Sequence, residues 1–443
     1  MNIRFHKTPR DRIELLLVIS GLLLLAAVLR FEVSGDGAIR YRMLQMFVDE
    51  HRVAAEQYSL VHPITSIPLY IMGKIAGQPQ RVVERFNLFI FCGMLLVIYR
   101  RLSSWTDSQL LCRWFLVMLT CSMFLHHLRM FYTEVFSTAG IVVGLVSIVT
   151  NAPIAGALTI SISIINSPPL LLPLMITTFK LSWDAKKLWY FGIPACTVVG
   201  ILAEGWMRRG SPFLTGYEGN RGFQTLLPYS GLPGFSYPLI LGILSILFSF
   251  GKGLLFFTPG LVLVGNEAER ISPGAKLRQL QQLLLLFTFG MVLVYAKWWA
   301  WYGGWFWGPR FFLFASVPAS LALAVQLERP HDFAWKNIFV LAILLLSAWV
   351  GVDGALFGQD GLEVGTANNY ALESLIWYVP EFSPLWHPFI ARRRLVPRDW
   401  AVAAYTIIVV AWLAGPLVRR LALQTRLWVR TLPAAWKAGY PDI

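Results

Sequence analysis

Two acids in an otherwise apolar chain stand where chemistry can be done. Asp36 lies in FEVSGDGAIRYRM, between Gly35 and Gly37, with Arg40 and Arg42 close behind. Glu134 lies in HHLRMFYTEVFST, shortly after Arg129. A carboxylate held near a membrane surface can take a proton from an incoming hydroxyl or amine. Glycines on both sides would let the backbone turn tightly and bring Asp36 close to a substrate. Each acid also has a plainer role. Asp36 can be a solvated residue of an interfacial turn, and Glu134 can be negative charge at a helix N-terminus.

Cations and aromatics fall near the same level. Arg40, Arg42, Arg129, Arg208, Arg209, Lys297 and Arg310 all lie on the face opposite to that expected for basic residues, once the spans below are assigned. Guanidinium forks bind phosphate oxygens two at a time, and a lipid phosphate or pyrophosphate headgroup is the obvious anion at an interface. The run KWWAWYGGWFWGPR holds Trp299, Trp301 and Tyr302. It reads either as an interfacial tryptophan belt or as faces for a sugar ring or lipid chain, with Gly303-Gly304 and Gly308-Pro309 shaping a loop. Tyr132 and His62 stand near the same level. Adjacent His126 and His127 cannot both face one site on a helix, which argues against a metal pair there. A divalent cation is an option at Asp36 and Glu134.

These residues need elements to position them. The chain has 443 residues, 56% hydrophobic and 14% charged, against about 25% charged for an average soluble protein. Apolar runs of roughly 17–22 residues, each enough to cross a bilayer core of about 30 Å, recur from end to end. They predict an all-α integral membrane protein of about twelve spans. It forms a single domain over 1–443, with no internal repeat and no separate soluble domain. The net charge of +14 sits mostly at the ends of apolar runs, so topology and anionic lipid explain it before nucleic acid does. Cys92, Cys112, Cys121 and Cys196 lie inside apolar runs and read as packing residues. No Walker loop or nucleotide-binding motif is present, which speaks against a nucleotide-sugar donor or ATP drive.

The basic flank MNIRFHKTPRDR before IELLLVISGLLLLAAVLR reads as an uncleaved first helix with a cytoplasmic N-terminus. The first outer loop then covers about 31–80, with a surface helix over Ile39–Tyr58 and a half-inserted segment at HPITSIPLYIMGKIAG. A short helix pair is expected to break at Asn166–Pro169, and the eighth span to kink at Gly251-Lys252-Gly253, where Lys252 is the clearest mid-span charge. Gly140 and Gly144 predict close packing within the bundle. A last outer loop is expected over about Asp353–Asp399, and the basic tail returns inside.

The series GSPFLTGYEGNRGF, FGKGLLFFTPGLVL and WYGGWFWGPRFFLFASVPASLALA, with VPEFSPLWHP near the end, resembles the GT-C superfamily of polytopic glycosyltransferases. The likeness is to the bacterial branch akin to protein O-mannosyltransferases and lipid A aminoarabinose transferases, and it spans most of the chain. That superfamily has an acid in the first outer loop, followed by amphipathic surface helices. Two departures stand out. Asp36 has no adjacent carboxylate, and there is no large soluble outer domain, which argues for a small or lipid-linked acceptor. The resemblance implies a GT-C-like bundle in the bacterial cytoplasmic membrane with its site on the outer side. It implies transfer of a sugar from a polyprenyl-phosphate donor to a hydroxyl or amine of a lipid-linked, glycan or protein acceptor, with inversion. Asp36 is then the candidate base, and Glu134 orients the acceptor or holds a divalent ion. Arg129 and Arg310 lead for phosphate, with Arg40, Arg42 and Lys297 next. Trp299, Trp301, Tyr302, Tyr132 and His62 are the groove residues. A carrier that flips lipid-linked sugars, or a ligase moving whole glycans, is the competing expectation. A cavity confined to one end favours a transferase, and one reaching midplane or both sides favours a carrier.

Overall fold

The computed structural model describes residues 9–265, 274–391 and 393–439. Among these it is helical, with no strand and one isolated bridge, Glu32 to Met130. The basic flank at 1–8, the charged loop at 266–273 and the end of the basic tail lie outside the described residues. The longer helices are α1 (Pro9–Val28), α2 (Gly35–Val48), α3 (Phe86–Leu102), α4 (Ser108–Thr120), α5 (Glu134–Val149), α6 (Pro153–Ile165) and α7 (Leu171–Ala185). They continue as α8 (Gly192–Arg209), α9 (Leu239–Phe248), α10 (Ala275–Tyr295), α11 (Ser316–Gln326), α12 (Ala334–Leu356) and α13 (Pro397–Gly439).

Among the described residues, 5 helices are long and apolar enough to cross a membrane: Pro79–Leu102, Leu188–Arg209, α10, α12 and Pro397–Trp428. Other apolar helices expected as spans, including α4, α5, α6 and α9, are shorter. The causes are local. α5 stops at a left-handed Asn151 (φ 64°) just before Pro153. α6 stops at Asn166-Ser167-Pro168-Pro169, as the sequence suggests, because proline cannot continue the ladder. The first turns of α1 are not cleanly apolar. Glu14 is fully buried there and accepts from Arg113 Nε (3.1 Å) and Trp412 Nε1 (3.2 Å).

Glycines let the short helices approach one another. A Cβ on Gly144 would lie 2.3 Å from Ile160 Cγ1 and 2.8 Å from Gly156 O, so α5 and α6 meet backbone to backbone inside the bundle.

Several expected boundaries move. Gly35-Asp36-Gly37 is no turn. Ser34 is the extended N-cap (φ −137°, ψ 167°) and α2 begins at Gly35, so Asp36 sits in the first turn of a helix. The helix expected to Tyr58 ends at Val48, and the chain from 49 to 60 is irregular. HPITSIPLYIMGKIAG forms two short helices, Val61–Thr65 and Ile67–Ile75, with Ile71, Met72 and Ile75 exposed. Asp353 does not open the last loop. It lies in the last turn of α12, fully buried, and accepts from Trp307 Nε1 at 2.7 Å. The kink expected at Gly251-Lys252-Gly253 is a full break between α9 and a short helix at Leu254–Phe257. Another segment fills that break. Gly251 N–H donates to Trp377 O (3.1 Å), and a Cβ there would lie 1.9 Å from Ile376 O. Lys252 does not snorkel to water. It is buried, and its Nζ donates to the carbonyls of Gly304 (3.3 Å) and Phe306 (2.5 Å).

Replacing Gly144 by Val forces a side chain into α6. The expected loss is about 1–3 kcal/mol, read as a lower melting temperature in detergent; an unchanged melt would show that α5 and α6 do not meet at Gly144.

Candidate functional site

The two acids meet because the chain after α1 runs beside the chain before α5. Glu32 N–H donates to Arg129 O (2.9 Å), and Phe131 N–H donates to Glu32 O (3.3 Å). Buried Asn87 holds the second segment from behind, donating to Met130 O (2.6 Å) and Tyr132 O (2.8 Å). The glycines beside Asp36 then matter for proximity. A Cβ on Gly35 would lie 2.3 Å from Tyr132 Oη, and one on Gly37 would lie 3.0 Å from Phe131 O. Only a bare backbone lets α2 begin against that segment.

Arg310 closes the site. Its Nε donates to Glu134 Oε1 at 2.6 Å, and its Nη2 donates to Asp36 Oδ2. One guanidinium therefore ties the first turn of α2 to the first residue of α5. Its carbon sits 4.6 Å from the Tyr132 ring centroid and 5.4 Å from that of Phe306, two rings that lie beside each other and cover the cation. Burial alone would raise the Asp36 carboxyl, but the charge and hydrogen bond of Arg310 outweigh it and hold the pKa below its ordinary 3.8. Asp36 is thus an ionised acceptor at neutral pH.

Arg40 stands one helical turn beyond Asp36 and on the same face of α2. It is 5% exposed, its guanidinium lies 4.0 Å from the Tyr58 ring centroid, and its Nε and Nη1 have no hydrogen-bond partner. A buried guanidinium with unused donors is costly unless something anionic meets it.

These groups line a cavity of about 1710 Å³. Its wall is drawn from one end of the bundle. On α5 it reaches from Glu134 to Ile141, on α6 it touches Ile165, on α8 it runs from Ile201 to Arg209, and on α10 it takes Met291 and Tyr295. The far halves of those helices contribute nothing to it.

The other expected site residues divide. Arg129, Tyr132, Trp299 and Tyr302 line the cavity. Arg129 is committed to backbone, donating to Arg30 O (3.3 Å) and Ala355 O (3.0 Å), where it caps the end of α12. Arg42 points elsewhere and pairs with Glu50 at 2.7 Å. Lys297 is not in the lining, and its carbonyl accepts from Tyr237 N–H. Trp301 is 2% exposed and packed against Trp377 and Tyr237, so it supports the wall from behind. His62 is fully buried among Phe86, Phe131 and Phe136, with neither ring nitrogen partnered, and forms part of an aromatic core. Arg310, expected at phosphate, is engaged by the two acids instead.

Asp36 and Glu134 are a poor fit for a divalent cation. The Arg310 guanidinium already stands between them and takes their charge. Among the described residues no group of three or more His, Cys, Asp or Glu could hold a metal ion. The sequence reading missed Tyr58, Tyr217, Trp305, Glu373 and Arg393 as lining residues. Trp305 lay inside the aromatic run and Tyr217 inside GSPFLTGYEGNRGF, both already singled out, and Tyr58 closed the expected surface helix; Glu373 and Arg393 carry no local signal, because a long irregular loop delivers them.

No protein-family model, no curated protein and no solved structure matches the chain.

Two outcomes follow from the Arg310 bridge. Arg310→Met leaves two carboxylates facing each other in a buried site and is expected to cost about 3–5 kcal/mol. The triple variant Asp36→Asn, Glu134→Gln, Arg310→Met should recover much of that in a thermal melt. The Asp36 contribution is fully present above its unfolded pKa and is lost only as pH falls through the lower folded value. The melting difference between wild type and Asp36→Asn should therefore stay constant through neutral pH and shrink only below about 3.8.

Proposed function

We propose that the chain is a membrane glycosyltransferase of the GT-C kind, a single integral domain whose half-length helices complete about twelve spans. It moves a sugar from a polyprenyl phosphate to a hydroxyl or amine acceptor, with inversion, at the outer face of the bacterial cytoplasmic membrane. The observation that carries this reading is the Asp36–Arg310–Glu134 bridge beside the unpaired donors of Arg40, all on one cavity.

In the proposed reaction the acceptor oxygen or nitrogen attacks the anomeric carbon. Its proton passes to the Asp36 carboxylate. The bond from that carbon to the phosphate oxygen breaks, and the prenyl phosphate leaves with the electron pair. Arg40 faces the growing charge on that leaving group, where fixed donors act most strongly. Arg310 keeps both carboxylates in place, and Glu134 orients the acceptor. A carrier would need a polar route toward the other membrane face. The cavity wall instead stops at Ile141 on α5 and Met291 on α10, which favours a transferase. A glycan ligase would use similar chemistry at the same end.

The test is transfer in vesicles carrying the full chain and synthetic short-chain prenyl-phosphate sugars, with products read by mass spectrometry. Asp36→Asn is expected to lower transfer by about 10²–10⁴-fold. Its binding of prenyl phosphate should stay near wild type, and its melt should fall only by the Asp36–Arg310 contribution, because Glu134 still holds Arg310. Retained turnover in that variant would sink Asp36 as the base.

A further inference from the structure

The cavity has a second polar wall that the proposed chemistry does not use. Glu373 opens the short helix Glu373–Tyr378, is 2% exposed, and lines the cavity, yet its Oε1 has no hydrogen-bond partner. Leaving such a buried oxygen unmet is costly. Its position is built rather than incidental. The helix is seated in the Gly251–Gly253 break, where Lys252 supplies the cation whose charge acts on Glu373. Burial raises the Glu373 carboxyl and Lys252 draws it back.

The chain leading to Glu373 is strained. Asn368, Asn369 and Tyr370 are all left-handed, at φ 51°, 55° and 64°. Asparagine tolerates that region, but tyrosine occupies it only under strain. The strained turn lays Tyr370 flat on Phe223, with ring centroids 4.3 Å apart and planes 22° apart, and sets its edge toward Trp305 at 6.4 Å. Phe223, Tyr370 and Trp305 all face the cavity. This wall adjoins the acids. Phe306 accepts Lys252 Nζ through its carbonyl, and its ring covers the Arg310 guanidinium. Glu373 and Asp36 are thus connected through Lys252, Phe306 and Arg310.

A carboxylate oxygen without a donor beside half-buried aromatic rings that line the cavity suits a ring that carries hydroxyl or amine groups on an apolar face. We propose that Glu373, backed by Lys252 and flanked by Trp305 and Tyr370, reads the transferred sugar by accepting hydrogen bonds from its hydroxyl or amine groups. The proposal rests on the glycosyltransferase reading and adds to it the residue that selects the sugar.

The experiment measures binding to the full chain in nanodiscs with two synthetic probes on one short prenyl tail, prenyl phosphate and a set of prenyl-phosphoryl hexoses. Wild type is expected to prefer at least one hexose-bearing probe by about tenfold, which corresponds to the about 1.4 kcal/mol of one good hydrogen bond to a charged group. Glu373→Gln should reduce that preference and Glu373→Ala should erase it, both leaving affinity for bare prenyl phosphate as in wild type. Asp36→Asn should keep the preference. A Glu373→Ala protein that still prefers the sugar overturns the proposal. So does one that loses both probes alike, since that marks a purely structural role. Wild type binding neither probe would remove the glycosyltransferase reading together with this one, whereas the two preceding outcomes leave it standing.

Discussion

The site depends on one guanidinium. Arg310 reaches Asp36 at the start of α2 and Glu134 at the start of α5, and its own chain follows the aromatic loop that leads out of α10. Three separate stretches of sequence are therefore fixed to each other by one charged group. The environment makes this binding strong. Tyr132 and Phe306 cover the guanidinium, and the effective dielectric is far below that of water. The same burial makes the arrangement exacting, since removing Arg310 leaves two carboxylates facing each other with no cation between them.

A chain rich in apolar residues has few ways to hold irregular backbone. Non-helical segments at membrane depth persist only where they line a cavity or are enclosed by protein. The stretch between Tyr295 and Arg310 obeys this rule. Its carbonyls at Gly304 and Phe306 take Lys252, its Trp299 N–H donates to Gly234 O at 3.0 Å, and Gly303, Gly304 and Gly308 adopt φ of 80°, 72° and 64°. The break at Gly251–Gly253 obeys it too, by admitting the Glu373–Tyr378 helix. The aromatic loop lines the cavity directly, and the Gly251–Gly253 break stands behind it, seating the helix whose first residue, Glu373, lines the same cavity.

What was legible in the sequence follows from which forces act locally. Helical class, apolar helices of crossing length, the stop at Asn166–Pro169 and the small-residue contact at Gly144 are local properties of pattern, proline and glycine. The acids Asp36 and Glu134 were visible as rare charges at the ends of apolar runs. What the sequence could not disclose was partnership. Arg310 looked like a free phosphate binder because nothing in WGPRFF records that two carboxylates meet it. His62 looked like a groove residue because its level in the bundle was readable but its facing was not, and the structure turns it into a core of phenylalanines. Glu373 carried no signal at all, since its role arises from a loop returning to a helix break far away in the chain.

The engagement of Arg310 is the reason the proposed reaction gives the leaving group to another arginine. An arginine already hydrogen-bonded to two carboxylates has little charge left to offer an incoming phosphate, and a phosphate drawn to it would meet two like charges at contact distance. Arg40 feels the charge of the same two carboxylates but donates to neither. It is as deeply buried, it shares a face of α2 with Asp36, and two of its donor nitrogens are unused. In the proposed reaction the spacing of Asp36 and Arg40, one turn apart on one helix, would deliver a proton acceptor and an anion acceptor to the cavity from the same first turns. Arg310 takes the hydrogen bond of Asp36, Arg40 keeps its Nε and Nη1 without a hydrogen-bond partner, and the proposed reaction therefore assigns the leaving group to Arg40.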